Sequence, residues 1–400
     1  MTHLLDDISN WSPETRLVRG GLDRSAQGET SEALFLNSGF VYETAADAEA
    51  RFKGEQDGFI YSRYGNPTVA MFEERLRLLE GAEACFATAS GMAAVFASLM
   101  SQLKSGDRLV ASRALFGSCH HIITQILPRF GVETVLVDGG DLDQWAEALS
   151  PCADVVFLET PANPTLELID LRAVSDLAHK AGATVVVDNV FATPMLQKPL
   201  ELGADVVVYS ATKHIDGQGR CLGGAVLSSQ AFIDEKLMPF MRHTGPSLSP
   251  FNAWVLVKGL ETLSLRVEKM CANALALARH LETLPGIARV SYPGLESFPQ
   301  AALVREQMSG IGGTLIAFEI AGGKEAAFRC MDRLKIVDIS NNLGDSKSLI
   351  THPQTTTHRA ISDQERAAIG VTAGLVRLSV GLEGIDDLKA DFTQALAGCG

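Results

Sequence analysis

The chain is 400 residues long and carries 34 Lys and Arg against 48 Asp and Glu, a formal net charge of −14. At about 100–200 residues per domain this length predicts two or three domains, and the acidic balance leaves no basic stripe to neutralise phosphates, which argues against nucleic acid as a partner. No apolar run approaches the ~20 residues of a membrane helix, and the N-terminal stretch holds neither a basic region with an apolar core nor a small-residue cleavage site, so a cytoplasmic protein without a membrane partner is expected.

Residues 1–60 show little periodicity and read as an N-terminal arm. From 61 to 250 the pattern alternates. ACFAT (84–88), DRLVAS (107–112), VETVLVD (132–138), DVVFLET (154–160), TVVVDN (184–189) and DVVVYS (205–210) read as short buried strands, with amphipathic stretches such as GMAAVFASLMSQL and LRAVSDLAHKAG between them. That alternation implies crossover connections and a mostly parallel central sheet covered on both faces, an α/β fold. Beyond Pro250, FNAWVLVKGLETLSLRVEKMCANALALARHLETLPG keeps helical spacing until Pro285 and Gly286 stop it. The strands TLIAFEI and LVRLSVGL follow, so residues 251–400 read as a smaller α+β domain including a long linking helix. Seven cysteines stand singly at Cys85, Cys119, Cys152, Cys221, Cys271, Cys330 and Cys399, with no CxxC pair. Neither a disulfide framework nor a metal site is expected, and Cys119-His120-His121 lacks further ligands at suitable spacing.

Three features carry chemistry. Lys213 follows the apolar run DVVVYSAT, and ligands of open α/β sheets bind outside the carboxyl ends of strands. A lysine capping a strand and reaching to water is the plain alternative. Ser90-Gly91-Met92 opens a helix after a strand and a tight turn, where unpaired N–H groups and the helix dipole favour an anion; Ser210 and Thr212 add hydroxyls beside Lys213. Asp188 ends a run that should be buried, so its carboxylate needs an arginine or a protonated ligand nitrogen. A lysine for an aldehyde, a cradle for a phosphate and an acid for a pyridine nitrogen are together what pyridoxal 5'-phosphate requires.

With these residues in view, the chain resembles the cystathionine γ-synthase-like (Cys/Met metabolism) family of pyridoxal phosphate enzymes. DVVVYSATKHIDGQGRCLGGAV is similar to that family's lysine signature, and YSRYGNPT (61–68), ATASGMAA (87–94), ETPANPT (159–165) and VVVDNVFATP (185–194) match its other blocks in order. The resemblance implies the aspartate aminotransferase type fold (fold type I), divided into an arm (1–60), a cofactor-binding large domain (61–250) and a C-terminal small domain (251–400). It implies Lys213 as the Schiff-base lysine and proton shuttle, Asp188 on the pyridine nitrogen, and Gly91, Met92, Ser210 and Thr212 on the phosphate. It also implies Asn163 near the ring hydroxyl, Arg377 on the substrate α-carboxylate, and Tyr61 and Arg63 reaching the phosphate of a neighbouring subunit, with Tyr61 also lining the substrate. The active site would then be shared within a homo-oligomer, which family members usually build as a tetramer.

Two departures narrow the branch. Phe116 in ALFGSCHH stands where many members carry a tyrosine; it can stack on the ring but has no hydroxyl, so proton transfer rests more heavily on Lys213. Asn342 in ISNNLGDSKSLITHP stands where lyases tend to have serine. Both look like the sulfhydrylase branch, and within it DGQGRCLGG and MRHTGPSLSPFNAWVLVKGLETL resemble the members acting on O-succinylhomoserine, which implies γ-replacement by sulfide, giving homocysteine and succinate for methionine synthesis. O-acetylhomoserine, cysteine as nucleophile, and γ-elimination are the alternatives within the same chemistry. The substrate's second carboxylate needs another cation, for which the sequence offers Arg220, Arg359, Lys53 or a neighbour's arginine. A structural rival pairs Arg377 with Glu383. The Tyr-x-x-x-Lys in YSATK could suggest a short-chain dehydrogenase, but it ends a strand, and no G-x-G-x-x-G follows the first strand.

Overall fold

The structure, a computed structural model, describes residues 10–397. Cys399 and the first nine residues of the predicted arm lie outside the described residues. By internal contacts the chain divides into two units. The first gathers the described residues through Gln102 with Val208–Asp216 and Arg220–Leu263. The second gathers Leu103–Val207, Gly217–Gly219 and the described residues from Ser264 onward.

All six predicted strands form: β1 (Ala84–Thr88), β2 (Arg108–Ser112), β3 (Glu133–Val137), β4 (Val155–Glu159), β5 (Thr184–Asp188) and β6 (Val206–Ser210). Every residue of β4 is buried, as are Val206 to Tyr209 of β6, which is why these strands read as unbroken apolar runs. A further strand, β7 (Gly224–Ser228), was not expected, because the Gly223-Gly224 pair hides it. Glycine is required there: a Cβ on Gly224 would stand 2.5 Å from Thr88 Oγ1 and collide with the Ser90 carbonyl.

Within the first unit β1 and β7 pair antiparallel, Ala84 opposite Ser228 and Thr88 opposite Gly224. Helix Pro67–Glu80 starts on Asn66, whose side chain accepts the Thr68 N–H, and stops at Gly81 with φ 86°. Arg75 on this helix is fully buried and donates to Gly20 O (2.9 Å), Val257 O (3.3 Å) and Glu32 (2.6 Å). It thereby ties part of the predicted arm to helix Pro250–Leu260. The arm also contains helices Pro13–Arg19 and Ala45–Lys53, each opened by a Ser or Thr cap and each too short to show periodicity.

Within the second unit β3, β2, β4 and β5 pair in parallel. A five-stranded sheet in the order β10-β11-β12-β9-β8 follows, from β8 (Ile287–Ser291), β9 (Leu315–Ile320), β10 (Asp338–Ile339), β11 (Leu349–Thr351) and β12 (Leu375–Ser379). Its buried face packs Ile316, Phe318 and Val376 against Leu277 and Leu281 of helix Leu263–Leu281 and Leu388 and Phe392 of helix Ile385–Leu396. The predicted single helix after Pro250 is two, broken at Glu261 and Thr262. Glu261 turns to Lys258 (2.8 Å) and Arg75 (3.8 Å), a tertiary demand invisible to periodicity. Among the described residues, no helix is long and apolar enough to cross a membrane.

Candidate active site

In the first unit the predicted phosphate residues converge at the start of helix Gly91–Met100. Ser90 caps it by accepting the Ala93 N–H at 3.2 Å. The preceding turn is pinned from both sides, Ala89 N–H donating to Pro246 O (2.8 Å) and Thr88 Oγ1 to Ser90 O (2.8 Å). Helix geometry leaves the N–H groups of Gly91 and Met92 without partners inside the helix, a face suited to an anion. Gly91 has no room for a side chain, since a Cβ would lie 2.5 Å from Ser210 Cβ and 2.8 Å from Ser210 Oγ. The helix start and the end of β6 are therefore as close as backbone allows, with Ser210 facing the cradle. Thr212 also holds the loop after Lys213, because its hydroxyl accepts the Gly223 N–H (3.1 Å) and donates to Gly223 O (3.3 Å). Lys213 follows within three residues of Ser210, its N–H donating to Ser210 O at 3.3 Å.

Tyr61 and Arg63 form a separate cluster of the first unit. The Arg63 guanidinium lies 5.3 Å from the Tyr61 ring centre and 4.8 Å from that of Tyr64, and it donates to Arg242 O. Arg242 also covers Tyr64 at 5.2 Å. Tyr61 is 41% exposed, so the cluster presents a ring and cations to the surface.

In the second unit the strand ends carry the acids. Asp188 closes β5, buried, with Oδ1 accepting the Val190 N–H at 3.2 Å. Arg377, in the middle of β12 and buried, donates from Nη1 to Asn163 Oδ1 (3.1 Å) and from Nη2 to Asn341 O (2.9 Å) and Asn342 O (3.4 Å). Asn163, Asn342 and Arg377 are thus brought together, with Asn163 bracing the arginine. Burial pulls the Arg377 guanidinium down to about 10, against an opposing pull from Glu159. The expected rival pairing with Glu383 is absent: Glu383 accepts from the Ser348 N–H (2.6 Å) and hydroxyl (2.8 Å) instead. The Nε of Arg377 is buried and has no hydrogen-bond partner, a donor suited to a carboxylate.

Sequence reasoning gave Glu159 no role. It ends β4 in register with Asp188, is buried, and accepts the Phe116 N–H at 2.7 Å. Burial and the Asp188 charge push its carboxyl well above the usual range, while the Phe116 N–H and Arg377 pull the other way. The signal that exposed Asp188, an acid ending an apolar run, was equally present in DVVFLET. Of the cations considered for a second carboxylate, Arg220 is committed to Asp216 through its N–H (2.6 Å) and Nε (2.8 Å), and Lys53 pairs with Glu49 (2.5 Å) on the surface.

Unit by unit, the residue types suit a phosphate-bearing pyridine aldehyde: the first unit holds a glycine-tight helix start with a lysine directly after the neighbouring strand, and the second holds a buried aspartate and a buried arginine whose Nε has no hydrogen-bond partner. The model of the Cys/Met metabolism PLP-dependent enzymes matches residues 14–397. The O-succinylhomoserine sulfhydrylase of Mycobacterium tuberculosis H37Rv is 59% identical over 384 residues, covering 95% of this chain and 94% of that protein. The O-succinylhomoserine sulfhydrylase of Pseudomonas aeruginosa is 49% identical over 391 residues, 98% of this chain and 96% of that protein. A Campylobacter jejuni crystal structure holding N'-pyridoxyl-lysine-5'-monophosphate superimposes with a TM-score of 0.93 at 33% identity, covering 97% of this chain and 100% of that one. The chain belongs to the Cys/Met metabolism family of PLP-dependent enzymes, whose cofactor is pyridoxal 5'-phosphate.

Proposed function

We propose that this chain is an O-succinylhomoserine sulfhydrylase, replacing the γ-succinyl group by sulfide to give homocysteine and succinate in methionine biosynthesis. The observation that carries this reading is near full-length identity of 59% and 49% to two proteins of that name. When bound through Lys213, the cofactor supplies an electron-accepting ring that makes the substrate's Cα and Cβ protons removable.

The chain's own residues do the rest. The Gly91 and Met92 N–H groups with Ser210 and Thr212 hold the phosphate, and Asp188 keeps a positive charge on the ring nitrogen. Asn163, which accepts from Arg377, would also serve the ring hydroxyl, and Phe116 would stack on the ring. Arg377 receives the substrate α-carboxylate, its Nε offering the unclaimed donor. The Nζ of Lys213 moves protons from Cα and Cβ, because Phe116 has no hydroxyl to share that work. Asn342 sits by Arg377 through its carbonyl and lines the substrate. Tyr61 and Arg63 serve a neighbouring subunit's phosphate, so the working form is a homo-oligomer, of which the family's usual form is a tetramer, acting in the cytoplasm on small molecules. Residues 1–60 act as an arm, 61–250 as the cofactor-binding domain and 251–400 as the smaller domain.

Steady-state assays test the acyl preference. Homocysteine formation should depend on sulfide, with kcat/KM for O-succinylhomoserine at least about tenfold above O-acetylhomoserine if a cation holds the distal carboxylate. Equal values for the two esters would remove the succinyl assignment.

A further inference from the structure

We propose that Glu159 is a positioning residue that anchors the Phe116 turn and leaves Asp188 as the single negative charge of an adjacent buried pair. The inference rests on the assignment of Asp188 to the cofactor ring made above, and it adds a residue that assignment does not contain.

β4 and β5 are parallel, and Glu159 stands opposite Asp188 at their carboxyl ends, so both side chains leave the sheet on the same face. Both are buried, Glu159 at 2% and Asp188 at 8% exposure. Neighbouring carboxylates in a dry site do not both ionise, because each charge raises the cost of the other. The charged groups facing Glu159 are Asp188 from β5 and Arg377 from β12, with the Cys119 thiol nearby on helix Gly117–His121. Burial, then Asp188 and Glu159, push that thiol up, so it brings no charge of its own.

Arg377 does not bond to Glu159; its donors go to Asn163 and the carbonyls of Asn341 and Asn342. Asp188 Oδ1 accepts a backbone N–H from Val190. Glu159 likewise accepts one, from Phe116, and lies deeper, where charging it costs more, which assigns it the proton. A neutral Glu159 still accepts the Phe116 N–H, so the turn is fixed without a second negative charge beneath the site. Phe116 is the N-cap of helix Gly117–His121 and has no side-chain hydroxyl to cap that helix, so the Glu159 contact is a tether for the residue proposed to lie against the ring.

The test uses the full-length enzyme, loaded and stripped of cofactor. Glu159→Gln is isosteric with the neutral acid and keeps the acceptor; the pH midpoint of the bound cofactor's visible band should move by less than about 0.3 unit, whereas loss of an ionised neighbour would move it by about a unit or more. Glu159→Leu orphans the Phe116 N–H, so cofactor affinity of the apoenzyme, measured by titration, should fall about tenfold or more, and Gln should restore it. A midpoint shift of a unit in Glu159→Gln, or wild-type affinity in Glu159→Leu, overturns the proposal. If Glu159→Leu does not fold, the Glu159→Gln midpoint decides alone. Asp188→Asn serves as the control: unchanged affinity and midpoint there would remove Asp188 from the ring and this inference with it, whereas a responsive Asp188→Asn beside a failed Glu159 test removes only the Glu159 role.

Discussion

Glu32 and Glu159 are both buried carboxylates, in opposite electrostatic company. Glu32, in the first unit, receives Arg75 at 2.6 Å and Lys258, and Lys258 also reaches Glu261 at 2.8 Å. Two cations thus meet two acids. Glu159, in the second unit, stands beside a second acid, Asp188, and the nearby cation Arg377 donates to neutral oxygens. Burial alone would raise both carboxyls. In Glu32 the Lys258 and Arg75 hydrogen bonds outweigh it and hold the group down to about 2; in Glu159 the Asp188 charge adds to it. Where the fold alone is served, the charges are balanced inside the protein. At the candidate site two acids stand side by side, and under the proposed function a ligand's charges would complete the set.

The largest expected effect separates chemistry from folding. Lys213→Ala should lose the cofactor's visible band and lower turnover by roughly 10³-fold or more, since positioned proton transfer contributes about 10²–10⁴ and the lysine is also the proposed attachment point. The Glu32 cluster should be untouched, so apoenzyme unfolding in urea should match the wild type. A Lys213→Ala enzyme with normal turnover would show that the lysine is wrongly assigned.

Glu32→Ala should do the reverse. It leaves the fully buried Arg75 and the half-buried Lys258 with Glu261 alone, and breaking the buried Arg75–Glu32 pair should cost about 3–5 kcal/mol in unfolding free energy. The folded fraction should keep its visible band. A loss below about 1 kcal/mol would put Glu32 in the class of surface ion pairs, against its burial.

pH sharpens the contrast, because the two groups carry opposite signs. The folded Glu32 carboxyl is depressed, so its contribution is full above the ordinary value of 4.5 and is lost as pH falls from there toward about 2. The folded Glu159 carboxyl is raised: below 4.5 both states are protonated and nothing is contributed, and above it the unfolded state ionises first, so Glu159 weighs against folding increasingly as pH rises. Stability of Glu159→Gln relative to wild type should therefore improve as pH rises above about 4.5, whereas that of Glu32→Gln should worsen as pH rises from about 2 to 4.5 and stay level above it. Parallel pH curves for the two variants would contradict the assignment of opposite charge states.

The smallest expected effect is local. Gly91→Ala must push apart the helix start and Ser210, at about 1–3 kcal/mol for overpacking, and cofactor affinity should fall about tenfold. Unchanged affinity would mean that the cradle tolerates a displaced helix.

Much of this was legible because the strands are buried on both faces. β4, β5 and β6 appear as unbroken apolar runs, and their ends place Asp188 and, by chain continuity, Lys213 outside the sheet. β7 was missed because its first residue must be glycine to clear Ser90, and paired glycines read as a loop. The Arg377 partners were also hidden. Sequence offered Glu383 only as a structural rival for Arg377, and in the structure Glu383 accepts from Ser348 while Asn163, 214 residues away, takes the guanidinium. Such pairings depend on which loops meet, and no periodicity reports them. Glu159 differs, since its signal matched that of Asp188 and the resemblance drew attention to one acid alone.

The most direct test of the proposed reaction is a competition followed by mass spectrometry, in which the enzyme receives O-succinylhomoserine with sulfide and cysteine together. Homocysteine as the main product is the predicted result and would make Phe116 and Asn342 the residues to exchange in search of the nucleophile preference. Cystathionine as the main product would contradict the sulfhydrylase assignment while leaving the family and cofactor in place.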